Sequence, residues 1–285
     1  MLKANLGILK DLCYQGKNVI ITGGGSGLGK QMALNYSKLG ANVTIIGRNE
    51  EKLLNAKQEI ENDTKNEIFT QSMDVRDYKQ LANYIDNLGN NLPDVVINNA
   101  AGNFISPTTN LSYNAWNTII DIVLKGTMNF TLQFGKKLIE QEKHANFINI
   151  STTYAKTGSG FVVPSAVAKA GCDNLTKSLS AEWGKYGIRL NSIAPGPIYT
   201  EGAFSRLDPT GEFQSQVINT LPMRRLGEKQ ELANLVSFIT SDYCNWMTGQ
   251  IINLDGGEVV QNAGEFNTLN RLTLNDWEEI YKKMK

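Results

Sequence analysis

Short apolar runs alternate along the chain with longer segments in which apolar residues recur at helical spacing. Several of these runs are apolar through most of their length, which is typical of strands buried on both faces of a parallel sheet. The predicted strands are NVIIT, NVTIIG, IFTQSMDV, DVVINNA, NFINIS, IRLNSIAP and QIINLD. Between the first two, Ala33, Tyr36 and Leu39 fall at helical spacing, and Gly40 is placed to end the helix. This alternation predicts an α/β fold, a Rossmann-type doubly wound parallel sheet of about seven strands.

Helical spacing returns after the last predicted strand and the glycines of LDGG. Leu274, Trp277, Tyr281 and Met284 form one apolar stripe, which predicts a final helix that packs on the body or on a neighbouring subunit. We find no linker-like stretch and no internal repeat. The sequence therefore predicts a single domain over residues 1–285, with a core of about 15–257 and a C-terminal helical extension at 258–285.

The composition argues against several classes of function. Lys plus Arg equals Asp plus Glu at 28 each, so no overall field attracts nucleic acid or an anionic membrane, and an anionic ligand must be held by local arginines. Cys13, Cys172 and Cys244 are scattered, which favours a reducing compartment and opposes a thiolate metal site. His144 is the only histidine and is interpreted as a surface residue, so histidine triads and zinc sites are not expected.

The N-terminus, MLKANLGILKDL, lacks the apolar stretch and cleavage site of a secretory signal. No run of 18 or more apolar residues occurs, so no transmembrane segment is predicted. The same segment is too short to be identified as a mitochondrial presequence. Such a presequence is either absent or already removed.

The segment TGGGSGLG, from Thr22 to Gly29, follows the first predicted strand and opens the first helix. Glycine lets the backbone turn tightly and approach a pyrophosphate, and the helix N-terminus supplies N–H groups with partial positive charge. Glycine-rich turns are common, so it is the position after the first strand that favours a dinucleotide-binding loop. The residues predicted to bind the cofactor in this loop are Gly23, Gly24, Gly25, Ser26, Gly27 and Leu28.

The end of the second strand normally separates NAD from NADP, because a carboxylate there binds the ribose 2′-hydroxyl of NAD. In TIIGRNEE, Gly47 stands where that carboxylate is expected, and Arg48 follows it. An arginine pairs with a 2′-phosphate, which a carboxylate would repel. The pattern favours NADPH as cofactor, and the alternative is a surface arginine that opens the next helix.

Five segments follow one another in the order found in the short-chain dehydrogenase/reductase superfamily, which the chain resembles over nearly its whole length. They are TGGGSGLG, NNAAG, SAVAK, IAPGPI and LDGG. The longer segments NNAAGNFISP, TTYAKTGSGFVVPSAVAKAG and PGPIYTEGAFSRLDPTGEF look like the mitochondrial type of 2,4-dienoyl-CoA reductase. The resemblance implies NADPH-dependent reduction of 2,4-dienoyl-CoA to trans-3-enoyl-CoA in the β-oxidation of polyunsaturated fatty acids, without a metal.

Two positions depart from the superfamily's common catalytic set. Ser165 stands four residues before Lys169, where a tyrosine usually donates the proton, and Val123 replaces the usual helix asparagine. Both changes also occur in the dienoyl-CoA reductases, so they support the narrower resemblance. That resemblance assigns the acid to Tyr154, and an extended strand end would point Thr152 to the same side.

The resemblance also implies roles for the other residues of the site. It assigns Lys169 to the nicotinamide ribose and to local electrostatics, Ser165 and Thr152 to supporting hydrogen bonds, and Asn103 to the thioester oxygen beside Tyr154. Further cofactor-binding positions are Asp74, Pro195, Gly196, Pro197 and Ile198. Substrate-binding positions are Arg48, Arg76, Asn103, Phe104, Ser112 and Arg206. Without the resemblance, these residues would be interpreted as packing, structural or solvated surface side chains.

Two alternatives to a dienoyl-CoA reductase stay open at this point. One is another NADPH-dependent enoyl-thioester or carbonyl reductase with a relocated tyrosine. The other is a non-catalytic NADP-binding protein, because the usual tyrosine is missing. The resemblance further implies a homotetramer, paired through long helices compatible with AWNTIIDIVL and AVAKAGCDNLTKSL, and a mitochondrial location.

Overall fold

The strands form a single layer in the structure, a computed structural model that describes residues 9–202, 207–208 and 211–284. Within these ranges, seven strands make one parallel sheet of order β3-β2-β1-β4-β5-β6-β7. The strands are β1 Asn18–Thr22, β2 Asn42–Gly47, β3 Ile68–Ser72, β4 Val95–Asn98, β5 Ala145–Ile150, β6 Ile188–Pro195 and β7 Ile251–Leu254. The predicted doubly wound fold is confirmed. The strand order reverses between β1 and β4, where such sheets open a ligand crevice.

Helices cover both faces of the sheet. They are α1 Gly27–Lys38, α2 Glu50–Thr64, α3 Tyr78–Leu88, α4 Tyr113–Ile119, α5 Gly126–Glu140, α6 Tyr154–Thr157, α7 Val163–Trp183, α8 Phe213–Thr220, α9 Lys229–Thr240, α10 Glu258–Ala263 and α11 Leu274–Met284. One core cluster holds apolar residues of α1, α2 and α9. The other holds residues of α3, α5 and α7. The sheet is therefore buried on both sides.

Alternation along each strand explains why two cores form. In β1, the side chains of Val19 and Ile21 enter the core under α1, whereas Ile20 enters the core under α5 and α7. Each buried aliphatic side chain of this kind contributes roughly 1.5–3 kcal/mol relative to an exposed one. Because both faces are buried, the strand is apolar throughout, as the sequence pattern indicated.

The first helix ends where the sequence predicted. Helix α1 closes at Lys38, and Gly40 has φ +88°, a left-handed conformation that glycine adopts without strain. The chain then enters β2 at Asn42. Because β2 pairs in parallel with β1, with Thr22 opposite Ile46, the glycine-rich loop lies beside the end of β2.

The final helix forms with the predicted apolar stripe, but the stripe does not pack on the body of the chain. Leu274 and Met284 of α11 are 83% and 77% exposed, and Trp277 stacks on Tyr281 with ring centroids 5.9 Å apart. The apolar stripe therefore lies at the surface of the chain. Helix α10, at the start of the same extension, instead lines the cleft at the carboxyl ends of the central strands.

Residues outside the cleft take the surface or structural places that the sequence indicated. His144 is exposed just before β5, where its ring packs against Gly187, at the opposite end of the sheet from the cleft. All three cysteines carry free thiols. In the described ranges, no helix combines the length and apolarity needed to cross a bilayer.

Candidate active site

The glycine-rich loop joins β1 to α1 and leaves no room for side chains. Gly23 has φ +67°, and a Cβ there would lie 2.9 Å from Asn99 Nδ2. A Cβ on Gly24 would lie 2.6 Å from the side chain of Ile45. Ser26 precedes α1 without making a side-chain capping hydrogen bond, so its hydroxyl does not satisfy the first N–H groups of that helix. The loop therefore fits a pyrophosphate held by backbone N–H groups.

Asn99 and Thr22 fix the shape of this loop. Asn99 Nδ2 donates to the carbonyl oxygens of Thr22 at 3.0 Å and Gly23 at 3.3 Å. Thr22 Oγ1 accepts from the backbone N–H groups of Asn99 and Ala100. Sequence reasoning gave neither side chain a role, although both lie within quoted motifs. Their bonds join the ends of β1 and β4 at the point where the sheet reverses.

Arg48, Asp74 and Arg76 gather beyond the ends of β2 and β3. Arg76 Nη2 lies 2.6 Å from Asp74 Oδ2, and Arg76 Nε donates to Asp74 Oδ1 at 3.0 Å. The hydrogen bond from Arg76 lowers the pKa of Asp74, and the charge of nearby Arg48 acts in the same direction. Arg48 itself is exposed. Asp74 was predicted to bind the cofactor, Arg76 the substrate and Arg48 both, and the three residues share one cationic edge.

The carboxyl ends of the central strands open into a cleft of about 910 Å³. This size is at the upper end of the range for small-molecule sites and suits extended ligands. The predicted cofactor residues that line it are Leu28, Lys169, Pro195, Gly196, Pro197 and Ile198. Asn103, Thr152, Tyr154 and Ser165 line the same cleft. Part of the predicted cofactor set thus shares one cavity with the predicted catalytic residues, whereas Gly23 to Gly27, Arg48 and Asp74 do not line it.

Tyr154 stands at the centre of the polar contacts in this cleft. Asn103 Nδ2 donates to the Tyr154 hydroxyl oxygen at 3.0 Å. Ser165 Oγ lies 3.2 Å from the same oxygen, and either hydroxyl can donate. The N–H of Phe104 donates to Asn103 Oδ1 at 2.9 Å, which turns the amide nitrogen towards the tyrosine. These bonds hold a phenol and an amide donor side by side.

Helix α7 supplies Ser165 and Lys169 from one face, four residues apart. Ser165 is 3% exposed and Lys169 is 6% exposed, so both lie on the buried side of the helix. Lys169 Nζ donates to the carbonyl oxygen of Ile150 at the end of β5. Burial lowers the pKa of Lys169 below its usual range. The ammonium is thus fixed beneath the cleft.

The route by which Tyr154 reaches the site differs from the prediction. Strand β5 ends at Ile150, and Tyr154 is the first residue of α6, a single helical turn. Thr152 and Tyr154 therefore do not alternate on an extended strand end, although both line the cleft. Gly158 ends the turn with φ +74°, donating its N–H to the Tyr154 carbonyl. A helical turn, not strand pleating, aims the phenol.

Two predicted substrate residues, Phe104 and Ser112, do not line the cleft. Phe104 packs against the core under α5 and α7. Ser112 Oγ accepts from the N–H of Ala115 as the N-cap of α4. Arg206 lies outside the described residues. Their assignment to substrate binding stays a prediction.

Glu258 and Thr153 form a contact that sequence reasoning missed. Thr153 Oγ1 donates to Glu258 Oε2 at 3.0 Å, which ties the start of α6 to the first residue of α10. Both residues line the cleft. Burial raises the pKa of Glu258, and nearby Asp255 adds to this, whereas the Thr153 hydroxyl opposes it. The one signal in the sequence was the position of Glu258 directly after LDGG.

Val123 lies in a π-helical segment, Ile120–Lys125, between α4 and α5. Its side chain is fully buried in the core under α7, and its carbonyl accepts from the thiol of Cys172. An apolar side chain therefore occupies the position of the usual helix asparagine. No amide from this segment reaches towards Lys169.

Comparisons with known proteins agree with this geometry. A family model described as enoyl-(acyl carrier protein) reductase matches residues 23–258. A probable 2,4-dienoyl-CoA reductase of Caenorhabditis elegans, named as (3E)-enoyl-CoA-producing, is 44% identical over 91% of this chain and 86% of its own. A probable 2,4-dienoyl-CoA reductase of Bacillus subtilis, named as (2E)-enoyl-CoA-producing, is 40% identical over 85% of this chain and 96% of its own.

Among solved structures, a short-chain dehydrogenase from Bacillus anthracis superposes with a TM-score of 0.79. It is 41% identical in sequence and covers 90% of this chain and 99% of its own. The likeness therefore extends over nine tenths of this chain. From the family match, these relatives and the shared fold, the chain belongs to the short-chain dehydrogenase/reductase family.

Proposed function

We propose that this protein is an NADPH-dependent 2,4-dienoyl-CoA reductase that forms trans-3-enoyl-CoA. The observation that carries the proposal is the contact of Tyr154 with both Asn103 and Ser165 inside the cleft. A phenol thus faces the site although the helix position four residues before Lys169 holds a serine. The names of two relatives support the same substrate class.

Membership of the family implies a nicotinamide cofactor, and the residues present fit one. The glycine loop leaves space for a pyrophosphate at the N-terminus of α1, and Lys169 lies beneath the cleft that Pro195 and Ile198 border. Arg48 is exposed on the cationic edge, where it would pair with a 2′-phosphate. When bound, NADPH supplies a hydride to C5 of the dienoyl chain.

Asn103 and Tyr154 would hold the thioester oxygen as negative charge moves onto it through the conjugated system. Preorganised donors that face developing charge in a site shielded from water stabilise it strongly. Tyr154 would then donate its proton to Cα, which leaves the 3-enoyl thioester. These residues account for both the oxyanion and the proton.

Coenzyme A carries several phosphate charges, which a chain without net charge must meet locally. Arg48 and Arg76 lie on one edge of the cofactor site, and we assign both to CoA together with Arg206. Arg76 is already paired with Asp74, so a CoA phosphate would have to share or displace that carboxylate. We also place the protein in the mitochondrion, on the resemblance alone.

The test is an assay of the purified protein with NADPH and 2,4-dienoyl-CoA, in which NADPH oxidation reports turnover and NMR of the product locates the remaining double bond. We expect turnover and a 3-enoyl product. A parallel panel of 2-enoyl-CoA and 3-oxoacyl-CoA substrates distinguishes this activity from other reductases of the family. Tight NADPH binding without turnover on any dienoyl-CoA would instead identify a non-catalytic NADP-binding protein.

Replacing Arg48 with alanine should raise the KM for NADPH far more than the KM for NADH. The reason is that the contact removed is to the 2′-phosphate, which NADH lacks. Steady-state kinetics with both cofactors measures the ratio. Lys52→Ala is the control, because it removes a neighbouring exposed cation and should leave the ratio unchanged. Equal effects of Arg48→Ala on both cofactors would remove the argument for NADPH.

We expect a homotetramer in solution. Leu274, Tyr281 and Met284 form an exposed apolar stripe on α11, and Val167 is half exposed on α7. Large exposed apolar patches on a protein surface mark interaction sites such as subunit contacts. Light scattering coupled to size exclusion should give four times the chain mass of 31.5 kDa. A monomer at the working concentration would refute the assembly.

A further inference from the structure

Asp173 lies four residues beyond Lys169 on α7, so the two side chains share one face of the helix. Lys169 is 6% exposed and Asp173 is 8% exposed. A buried ammonium is unfavourable unless an opposite charge or hydrogen-bond acceptors compensate it. The assigned role of Lys169 requires it to stay charged. Its surroundings must therefore supply that compensation.

Few groups that face Lys169 can compensate its charge. The carbonyl of Ile150 accepts from Nζ. The Cys172 thiol is close, but burial raises its pKa, so it stays neutral near pH 7. From the π-helical segment, Val123 presents an apolar side chain. Burial lowers the pKa of Lys169, whereas electrostatic interaction with Cys172 and Asp173 raises it. Asp173 is the carboxylate of this pair.

Asp173 is itself held in a polar pocket between α7 and the ends of β5 and β6. Burial raises its pKa, whereas the Ser151 and Ser192 hydroxyls and the charges of Lys169 and Lys177 lower it. Within the described part of the chain, neither Asp173 Oδ1 nor Ser151 Oγ has a hydrogen-bond partner of normal geometry. Oδ1 of the buried carboxylate is thus left without a hydrogen-bond donor.

We propose that Asp173 is a positioning residue for the catalytic centre, whose buried carboxylate keeps Lys169 protonated and directed at the Ile150 carbonyl. The inference rests on the proposed function in one respect, the contact of Lys169 with the nicotinamide ribose. In this arrangement, Asp173 never touches cofactor or substrate. It acts on both through the charge of Lys169.

The test is Asp173→Asn, which keeps the side-chain shape and removes the charge. Removing an opposite charge lowers the pKa of Lys169 further, so the ammonium loses its proton at a lower pH. NADPH affinity, followed by fluorescence across pH, should therefore fall at a pH about one unit lower than in the wild type. Below that range, where Lys169 is charged in both proteins, the affinities should converge. Asp173→Glu should restore the wild-type profile.

Leu179→Ala is the matched control, since Leu179 is buried on the same helix and packs in the apolar core, away from the polar pocket of Asp173. It should lower the Tm without moving the pH profile, because it changes no charge. If Asp173→Asn does not fold, Asp173→Ser tests the same point with a smaller side chain. Superimposable pH profiles, or weaker binding by the same factor at every pH, would overturn the proposal. A shifted profile in a protein that cannot reduce dienoyl-CoA would instead reject the proposed function and leave the role of Asp173 standing.

Discussion

Tyr154→Phe is expected to lower kcat with 2,4-dienoyl-CoA by roughly 10²-fold or more, because it removes the positioned acid. The substitution keeps the ring volume and deletes one hydroxyl. That hydroxyl lies 3.0 Å from Asn103 Nδ2 and 3.2 Å from Ser165 Oγ. NADPH binding should survive, since the glycine loop and Lys169 are untouched. Fluorescence titration of NADPH beside the turnover assay separates the two effects.

Two comparison variants decide whether the serine has any part in proton transfer. Ser165→Ala should cost less than Tyr154→Phe, because it removes a supporting hydrogen bond and leaves the acid in place. Adding Ser165→Tyr to Tyr154→Phe should not restore activity, since a phenol from α7 approaches from another direction and would crowd the thioester. Near-normal turnover by Tyr154→Phe would show that Ser165 or a bound water donates the proton instead.

The fold could be predicted because its signals are local. The predicted strand IRLNSIAP matches β6, Ile188–Pro195, residue for residue, because the strand is buried on both faces and is apolar through much of its length. Strand β3 was predicted to run to Val75 but ends at Ser72. Beyond it, Asp74 and Asp77 accept hydrogen bonds from Arg76 and Gln80, and these local bonds turn the chain towards α3.

The residues of the candidate site could be proposed from the sequence, but their geometry could not. Resemblance supplied Tyr154, whereas the helical turn that aims it depends on Gly158 and on backbone bonds that no periodicity reveals. The bond between Thr153 and Glu258 joins residues 105 positions apart. Such contacts arise only when β5 and β7 are brought to the same edge of the sheet. Lys169 and Asp173 are only four residues apart, so the sequence shows that they can be neighbours on a helix. Their effect on each other's charge could be argued only after the structure showed that both are buried.

Asn103→Ala should lower kcat by roughly 10²–10³-fold, the cost of removing one donor from an oxyanion site. The amide is held by the N–H of Phe104, so its nitrogen is directed at the tyrosine before substrate arrives. Its loss should leave the KM for NADPH nearly unchanged, because Asn103 belongs to the substrate side of the cleft. Rapid-quench measurement of a single turnover tests whether the chemical step itself has slowed.

The double variant Asn103→Ala with Tyr154→Phe shows whether the two residues act as one unit. If both stabilise the same thioester oxygen, the second substitution costs less in the single variant than the same substitution costs in the wild type. The combined loss then falls short of the product of the single losses. Asn98→Ala is the control, because Asn98 is a buried amide on β4 that bonds to Asn149 and Thr131, away from the cleft. It should lower the Tm and combine independently with Tyr154→Phe. Full multiplication of the Asn103 and Tyr154 losses would mean that the amide and the phenol contact different parts of the substrate.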